Sequence, residues 1–280
     1  METAAPSREI IKLNDQEFQT LTEFLRRDYG INLSKKRTLI EGRMNQYLQR
    51  NGYSSYSSYL QMLFHDQTGN EISNILNVLT TNYSYFMREW SHFDFYRKTI
   101  LPELKAAVSD RDLRVWSAGC STGQEPYTLA MLTDDFFGKE SASWDKRILA
   151  TDISEKVLSA ARAGVYGSDE IEDIPPVWKQ LYFSPLDGNK VQVKEELRRE
   201  IIFRKFNLME KEFPFRKKFH VIFCRNVMIY FDAPAKTGLI SRFSDALADG
   251  GYLIVGHSES IDRAAAGLSY VIPSVYRKRN

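Results

Sequence analysis

Ser117-Ala-Gly-Cys-Ser-Thr-Gly-Gln-Glu-Pro126 lies between a strand-like apolar run, Leu113–Ala118, and a helical pattern, Pro126–Phe137. Gly119 and Gly123 give the backbone freedom that a tight turn needs and allow a ligand to approach the main chain closely. Pro126 suits a first helical turn, where its missing N–H costs nothing. A turn of this kind at the carboxyl end of a first strand is where open α/β sheets bind their ligands.

Working outward towards the C-terminus, the same grammar repeats. Apolar runs at Ile148–Thr151, Val221–Cys224 and Tyr252–Gly256 alternate with helical stretches at Glu155–Ala163 and near Pro234–Ala248. That alternation predicts βαβ crossovers and a mostly parallel, doubly wound sheet covered on both faces. Leu268 to Arg277, with Pro273-Ser274 at its middle, adds a hairpin edge. Between Tyr166 and Phe206 the pattern changes to Tyr182-Phe183, a turn at Asp187-Gly188, then Val191, Val193 and Ile201 to Phe203. This reads as a small antiparallel insertion of about 171–205 built on a hairpin.

Towards the N-terminus the signal is helical. Asn14 and Glu17 form a capping-box pattern before Phe18, Leu21 and Leu25, and Gly30 is a stop. Ser34 is placed to cap a second helix that ends at Asn51-Gly52. Further helices are expected at about Ser55–Phe64, Asn70–Thr80 and Glu89–Val108, the last kinked or split by Pro102. The domains are therefore drawn as 1–85 helical, 86–112 a linker helix, and 113–280 the α/β domain with its insertion.

Composition narrows the class. A formal net charge of +2 over 280 residues does not suggest bulk nucleic-acid binding, and 43% hydrophobic residues suffice for a sizeable core. Cys120 and Cys224, at the ends of two predicted strands, read as reduced thiols of an intracellular protein. Met1 to Ile10 lacks an apolar signal-peptide core, and no apolar run is long enough to span a membrane. The histidines show no metal-ligand spacing with Cys120 or Cys224, so no metal is expected.

The turn also restricts its own ligand. A dinucleotide site brings a pyrophosphate to the helix N-terminus, and a Walker turn needs Gly-Lys-Ser/Thr. Here Glu125 sits at the helix start with no lysine nearby, which repels phosphate and suits a cation or an amine. Asp152, just past the second strand, is placed to accept hydrogen bonds from both hydroxyls of a ribose; capping of the next helix is its plainer alternative. A ligand with a ribose and no phosphate fits both residues, and S-adenosyl-L-methionine is such a ligand.

Leu79-Thr-Thr-Asn-Tyr-Ser-Tyr-Phe-Met-Arg-Glu89 closely resembles the interdomain segment of the chemotaxis receptor methyltransferases, the CheR-type family. Ser117–Tyr127, Ala150–Ile153, Phe223-Cys-Arg-Asn-Val-Met-Ile-Tyr-Phe231 and Gly256-His-Ser-Glu259 are also similar to that family's motifs, in its order. The resemblance implies a Rossmann-like class I methyltransferase that esterifies receptor glutamates with S-adenosyl-L-methionine and releases S-adenosyl-L-homocysteine. It implies cofactor contacts at Asn82, Ser84, Arg88, Gly119, Glu125, Asp152, Asn207, Leu208, Arg225 and Asn226, with Gln124 departing from a common glutamate. Arg88 and Tyr230 match residues proposed to assist catalysis.

The second helix groups Lys35, Lys36, Arg37, Arg43 and Arg50 against the single acid Glu41. This is either a solvated face or a dock for an acidic receptor helix, the latter also implied by the resemblance. The expected partner is the cytoplasmic helical region of membrane chemoreceptors, met by a cytoplasmic monomer recruited to receptor arrays, without nucleic acid or membrane insertion. The short Ser184–Lys190 loop favours an enzyme that does not need a receptor tether.

Two other readings stand beside this one. Gly119-Cys-Ser121-Thr-Gly123 satisfies the hydrolase elbow G-x-S-x-G, with Asp152 or Asp232 and then His257 in the right chain order for a serine hydrolase. A catalytically idle S-adenosyl-L-methionine sensor would keep the pocket and lose transfer.

Overall fold

The computed structural model describes residues 10–81, 83–262 and 266–279. The chain divides into two compact units between Thr81 and Asn82.

The first unit is helical: α1 (Asp15–Tyr29), α2 (Arg37–Arg50), α3 (Tyr56–His65) and α4 (Asn70–Leu79). The capping box forms as read, since Glu17 N donates to Asn14 Oδ1 at 2.8 Å and Asn14 N donates to Glu17 Oε2 at 2.9 Å. Gly30 closes α1 at φ 72°, where a side chain would be strained. Leu21 and Leu25, Ile40, Met44 and Leu48, and Ile72, Ile75 and Leu76 are buried at helical spacing. Ser34 does not cap α2. Its N–H and hydroxyl both donate to Asn32 Oδ1, and the helix starts two residues later from Lys36 without a side-chain cap. A local turn has competed for the serine that the sequence assigned to the helix.

In the second unit, α5 (Trp90–Phe95), a π-helical turn (Tyr96–Ile100) and α6 (Leu101–Ala107) form one broken helical stretch. The wide turn lies immediately before Pro102, whose ring and missing N–H disrupt regular i→i−4 bonding. The α/β body follows, with β1 (Val115–Ala118), α7 (Gln124–Phe137), β2 (Ile148–Asp152), α8 (Glu155–Ala163), β3 (Val165–Gly167), α9 (Pro176–Tyr182), β4 (Phe183–Leu186), β5 (Lys190–Val193), α10 (Glu195–Arg198), β6 (Ile201–Lys205), β7 (Phe219–Cys224), α11 (Ala233–Ala246), β8 (Leu247–Val255), β9 (Leu268–Ile272) and β10 (Val275–Lys278).

Seven strands form one sheet in the order β6-β2-β1-β7-β8-β10-β9. β6, β2, β1, β7 and β8 run parallel, and β10 and β9 close the edge as the expected antiparallel hairpin. The order reverses at β1, so the crevice beyond the ends of β1 and β7 is the topological switch point.

The insertion differs from its sequence reading. Its sheet is β3-β5-β4, and Ile201–Lys205 belongs to the main sheet, parallel to β2 from Ile148↔Ile201 to Asp152↔Lys205. A short outer strand with buried Ile201 and Phe203 and exposed Arg204 and Lys205 has the same period-two pattern as an antiparallel strand, so sequence alone misassigns it.

Residues alternate between the two faces of the sheet. Val115, Val221 and Phe223 pack on the side of Phe93, Tyr96 and Tyr127, while Trp116, Ile222 and Cys224 pack with Phe243. Trp116 touches the rings of Phe206, Phe213, Phe215, Phe219 and Phe243, and its indole N–H donates to Thr151 Oγ1 at 2.9 Å. This cluster fixes the mutual register of β1 and β2 beneath the switch point.

Candidate active site

The turn after β1 is held by its neighbours. Gly119 N and Cys120 N both donate to Thr151 O, at 2.8 and 2.9 Å, and Gly123 N returns to Cys120 O at 3.0 Å. Gly119, Ser121 and Gly123 all have positive φ, at 88°, 50° and 98°. Both glycines are required by packing within the chain. A Cβ on Gly119 would meet Val227 Cγ2 at 2.3 Å, and one on Gly123 would meet Tyr166 Oη at 2.9 Å and Ala161 Cβ at 3.0 Å.

Asp152 ends β2 beside this turn. Its Oδ2 accepts from Ser121 N and its Oδ1 from Ser154 N, both at 3.0 Å. Burial pushes its carboxyl pKa upward, against the opposing pull of these backbone donors. Capping of α8 falls to Ser154, whose Oγ accepts from Val157 N, so the plainer alternative for Asp152 does not hold. A carboxylate offers about four acceptor directions, and the backbone N–H of Ile153 also bonds to this one, so a direction remains for a ligand hydroxyl.

Glu125, in the first turn of α7, is engaged on both oxygens. Ser117 Oγ donates to Oε1 at 2.7 Å and Arg225 Nη1 to Oε2 at 2.9 Å. The carboxylate expected to suit a ligand's cation or amine is instead paired within the chain, by Arg225. Arg225, its side chain only 2% exposed, also donates to the Arg88 carbonyl and to Glu89 Oε2 at 3.1 Å, and lies over the Phe93 ring at 5.0 Å.

Asn226 N donates to Glu259 Oε2 at 2.9 Å, and Asn226 Nδ2 to Glu89 Oε1 at 3.2 Å. Burial works against the charged form of Glu89, yet Arg225 and Asn226 hold its carboxyl below the usual range. Burial raises the carboxyl pKa of Glu259, whose Oε2 also accepts from Gly256 N at 2.7 Å. Glu89 and Glu259 had no assigned role in the sequence, although both lie in its quoted motifs; what joins them to β7 is contact across the fold.

Arg88 lies between two residues in the left-handed region, Met87 at φ 62° and Glu89 at φ 57°. Its Nη1 donates to Tyr83 O at 2.8 Å, and the guanidinium lies 5.8 Å from the Tyr85 ring. Phe86, 1% exposed, anchors this segment edge-on against Tyr166 and Phe183. Ser84 is half-buried nearby in sequence, and Asn82 lies outside the described residues. Tyr230 occupies a 3-10 turn after β7 and is half-buried. Beyond β6, Asn207 Oδ1 accepts from Met209 N at 3.0 Å and Leu208 is buried.

Glu125, Asp152, Arg225, Asn226 and the backbone of Arg88 therefore join into one constellation at the switch point. On and just before α2 the five expected docking cations separate. Arg43 caps α4, its Nη1 donating to the carbonyls of Val78, Leu79 and Thr80, and Arg37 donates to Leu13 O and pairs with Asp15. Lys35, Lys36 and Arg50 are exposed.

The hydrolase triad does not assemble. His257 Nε2 lies 3.2 Å from Ser91 Oγ, while Asp152 is bonded to the Ser121 backbone. Among the described residues before Val115 no strand is formed, and an elbow needs preceding strands and an oxyanion loop. The sequence expected no metal-ligand set, yet the fold brings donor atoms of Glu89, His92 and His257 within 4.8 Å of one another. The signal was available as Glu89-x-x-His92, an i,i+3 pair.

A phosphate-free nucleoside suits these residues. The α7 N-terminus carries a carboxylate already paired with a buried arginine, and Asp152 offers acceptors at the next strand end. The family model described as "CheR methyltransferase, SAM binding domain" matches residues 82–274, and "CheR methyltransferase, all-alpha domain" matches 16–80. A chemotaxis protein methyltransferase of Borreliella burgdorferi is 41% identical over 273 residues, covering 96% of each chain. A probable chemotaxis protein methyltransferase of Rhizobium etli is 38% identical, covering 85% of this chain and 90% of that one. The chemotaxis protein methyltransferase of Escherichia coli is 35% identical, covering 90% and 87%.

Proposed function

Because the chain belongs to the CheR methyltransferase family, we propose that it transfers a methyl group from S-adenosyl-L-methionine to glutamate side chains of chemoreceptors. The products are a glutamate methyl ester and S-adenosyl-L-homocysteine. One observation supports the reading beyond the family: two carboxylates, Asp152 at the end of β2 and Glu125 in the first turn of α7, flank the glycine turn, one an acceptor for ribose hydroxyls and both set against a phosphate there.

The chemistry asks little of the protein's own acids and bases. A glutamate carboxylate has an ordinary pKa near ~4.3 and is already a nucleophile at neutral pH. The cofactor, when bound, supplies the methyl group on a positively charged sulfur. What the chain supplies is placement, which is worth up to ~7–11 kcal/mol when the reacting atoms are held in line.

Asp152 binds the ribose hydroxyls. Arg225 fixes the Arg88 backbone and so aims the Arg88 guanidinium, a fork suited to a carboxylate. Quenching the acceptor glutamate would slow the reaction, so Arg88 acts first on the cofactor's carboxylate. Tyr230 orients the acceptor oxygen through its hydroxyl.

For the partner, the exposed Lys35 and Lys36 just before α2 and Arg50 at its end supply positive charge for an acidic receptor helix, with Arg37 and Arg43 holding the helical unit together. The short β4–β5 connection supports an enzyme independent of a C-terminal receptor peptide. Among the described residues, no helix is long and apolar enough to cross a membrane, which fits action on the cytoplasmic part of the receptor.

The test is tritiated-methyl transfer to chemoreceptor-rich membranes. Alkali-labile label on the receptor is expected, because esters release methanol in base. Absence of transfer would favour the idle-sensor reading, and alkali-stable label would move the acceptor away from a carboxylate.

A further inference from the structure

His92 is 1% exposed, and among the described residues neither of its ring nitrogens has a hydrogen-bond partner. Two orphaned buried nitrogens are unusual, since buried polar atoms are nearly always satisfied by protein, water or an ion. The ring does not sit among apolar groups alone. Its Nδ1 is 3.5 Å from Glu89 Oε2, and its ring meets that of His257 edge-on with centroids 4.5 Å apart. Donor atoms of all three residues fall within 4.8 Å of one another.

From this geometry we propose that Glu89, His92 and His257 form a binding site for a divalent transition-metal ion, with Zn2+ the metal that the donor set favours. Two imidazoles and one carboxylate match borderline-soft ions, whereas Mg2+ and Ca2+ call for oxygen donors throughout. Metal–ligand bonds of ~2.0–2.2 Å in a tetrahedron place neighbouring donors about 3.4 Å apart. The His92–Glu89 separation of 3.5 Å already has that length.

The third ligand is placed to close the set. His257 is exposed, in the loop after β8, and among the described residues its Nε2 is hydrogen-bonded only with Ser91 Oγ, at 3.2 Å. A small inward movement costs it no buried contact. Its backbone N–H donates to Glu89 Oε2 at 3.3 Å, which tethers the loop beside the site.

Arg225 is the cation that an ion must displace from part of its partner. It retains Glu125 Oε2 at 2.9 Å and the Arg88 carbonyl when Glu89 Oε2 turns to the metal. No buried charge is left unpaired. Three protein ligands leave a fourth position for water. The ion would staple the left-handed turn Met87–Glu89, which carries Arg88, to the loop after β8.

The test uses the full chain, free of any affinity tag and stripped of metal, titrated with Zn2+ by calorimetry and with Co2+ by its ligand-field absorption. One equivalent is expected, with a tetrahedral Co2+ spectrum. His257→Ala changes an exposed side chain, and circular dichroism confirms its fold. It is expected to bind at least about tenfold more weakly, as is Glu89→Gln. If His257→Ala binds like the parent chain, or the parent chain gives no tetrahedral Co2+ spectrum, the site does not exist. Neither readout involves methyl transfer, so failure here leaves the methyltransferase reading untouched.

Discussion

Arg225 and Glu125 lie 100 residues apart in sequence and meet at 2.9 Å across the mouth of the switch point, with the arginine side chain 2% exposed. The same guanidinium holds the carbonyl of Arg88 and the carboxylate of Glu89. One buried fork thus ties β7, the start of α7 and the Tyr83–Glu89 segment into one frame.

Removing that fork leaves Glu125 and Glu89 without their buried cation. Arg225→Met is expected to lose about 3–5 kcal/mol of stability, the cost of breaking a buried ion pair from one side. Arg225→Lys should recover only part of it, because one ammonium does not reach three acceptors in a fixed plane. Urea denaturation measures both. A lysine variant as stable as the parent would show that charge, and not the fork, matters.

Gly119 is expected to be intolerant for two separable reasons. Gly119→Ala should cost about 1–3 kcal/mol, since its Cβ overlaps Val227 Cγ2 and the residue has φ 88°. Adding Val227→Ala relieves the overlap and not the backbone strain, so the double variant should recover part of the loss. Full additivity in thermal denaturation would mean that the two positions do not meet.

Tyr230→Phe should lower turnover by about tenfold or more, as expected for loss of one positioned hydrogen-bond donor. Cofactor affinity should change little. Single-turnover kinetics beside calorimetry separates the two, and unchanged turnover would remove the hydroxyl from the reaction.

The far end of β7 carries a pH dependence. His220 Nδ1 accepts from Arg114 N at 3.1 Å, and burial lowers its pKa from 6.5. The unfolded chain therefore binds this proton first as pH falls, and stability is lost progressively below pH 6.5. His220→Asn keeps an acceptor without the titration and should flatten that part of the curve. Identical stability–pH profiles for the two chains would count against it.

Much of this architecture was legible because local signals were strong. Asn14 with Glu17, and Gly30, are caps that read directly as helix limits, whereas the cap of α8 is Ser154 and not Asp152, the sequence's candidate. The glycine turn and Asp152 were legible from their places at strand ends. What escaped was set by distant contact. Ile201–Lys205 is an outer parallel strand only because β2 lies beside it. Glu89 gains its importance from Arg225 and Asn226, and Arg43 its structural task from the end of α4. No local pattern encodes such partners.

The site reading turns on a pocket that takes a ribose and refuses a phosphate. Calorimetry with S-adenosyl-L-methionine and with NAD+, on the parent chain and on Asp152→Ala, addresses it most directly. The account predicts one equivalent of S-adenosyl-L-methionine, no NAD+ binding, and affinity weakened about tenfold or more in the variant, a loss of ~1.4 kcal/mol or greater. NAD+ binding as tight as that of S-adenosyl-L-methionine, or an Asp152→Ala chain that binds like its parent, would contradict it.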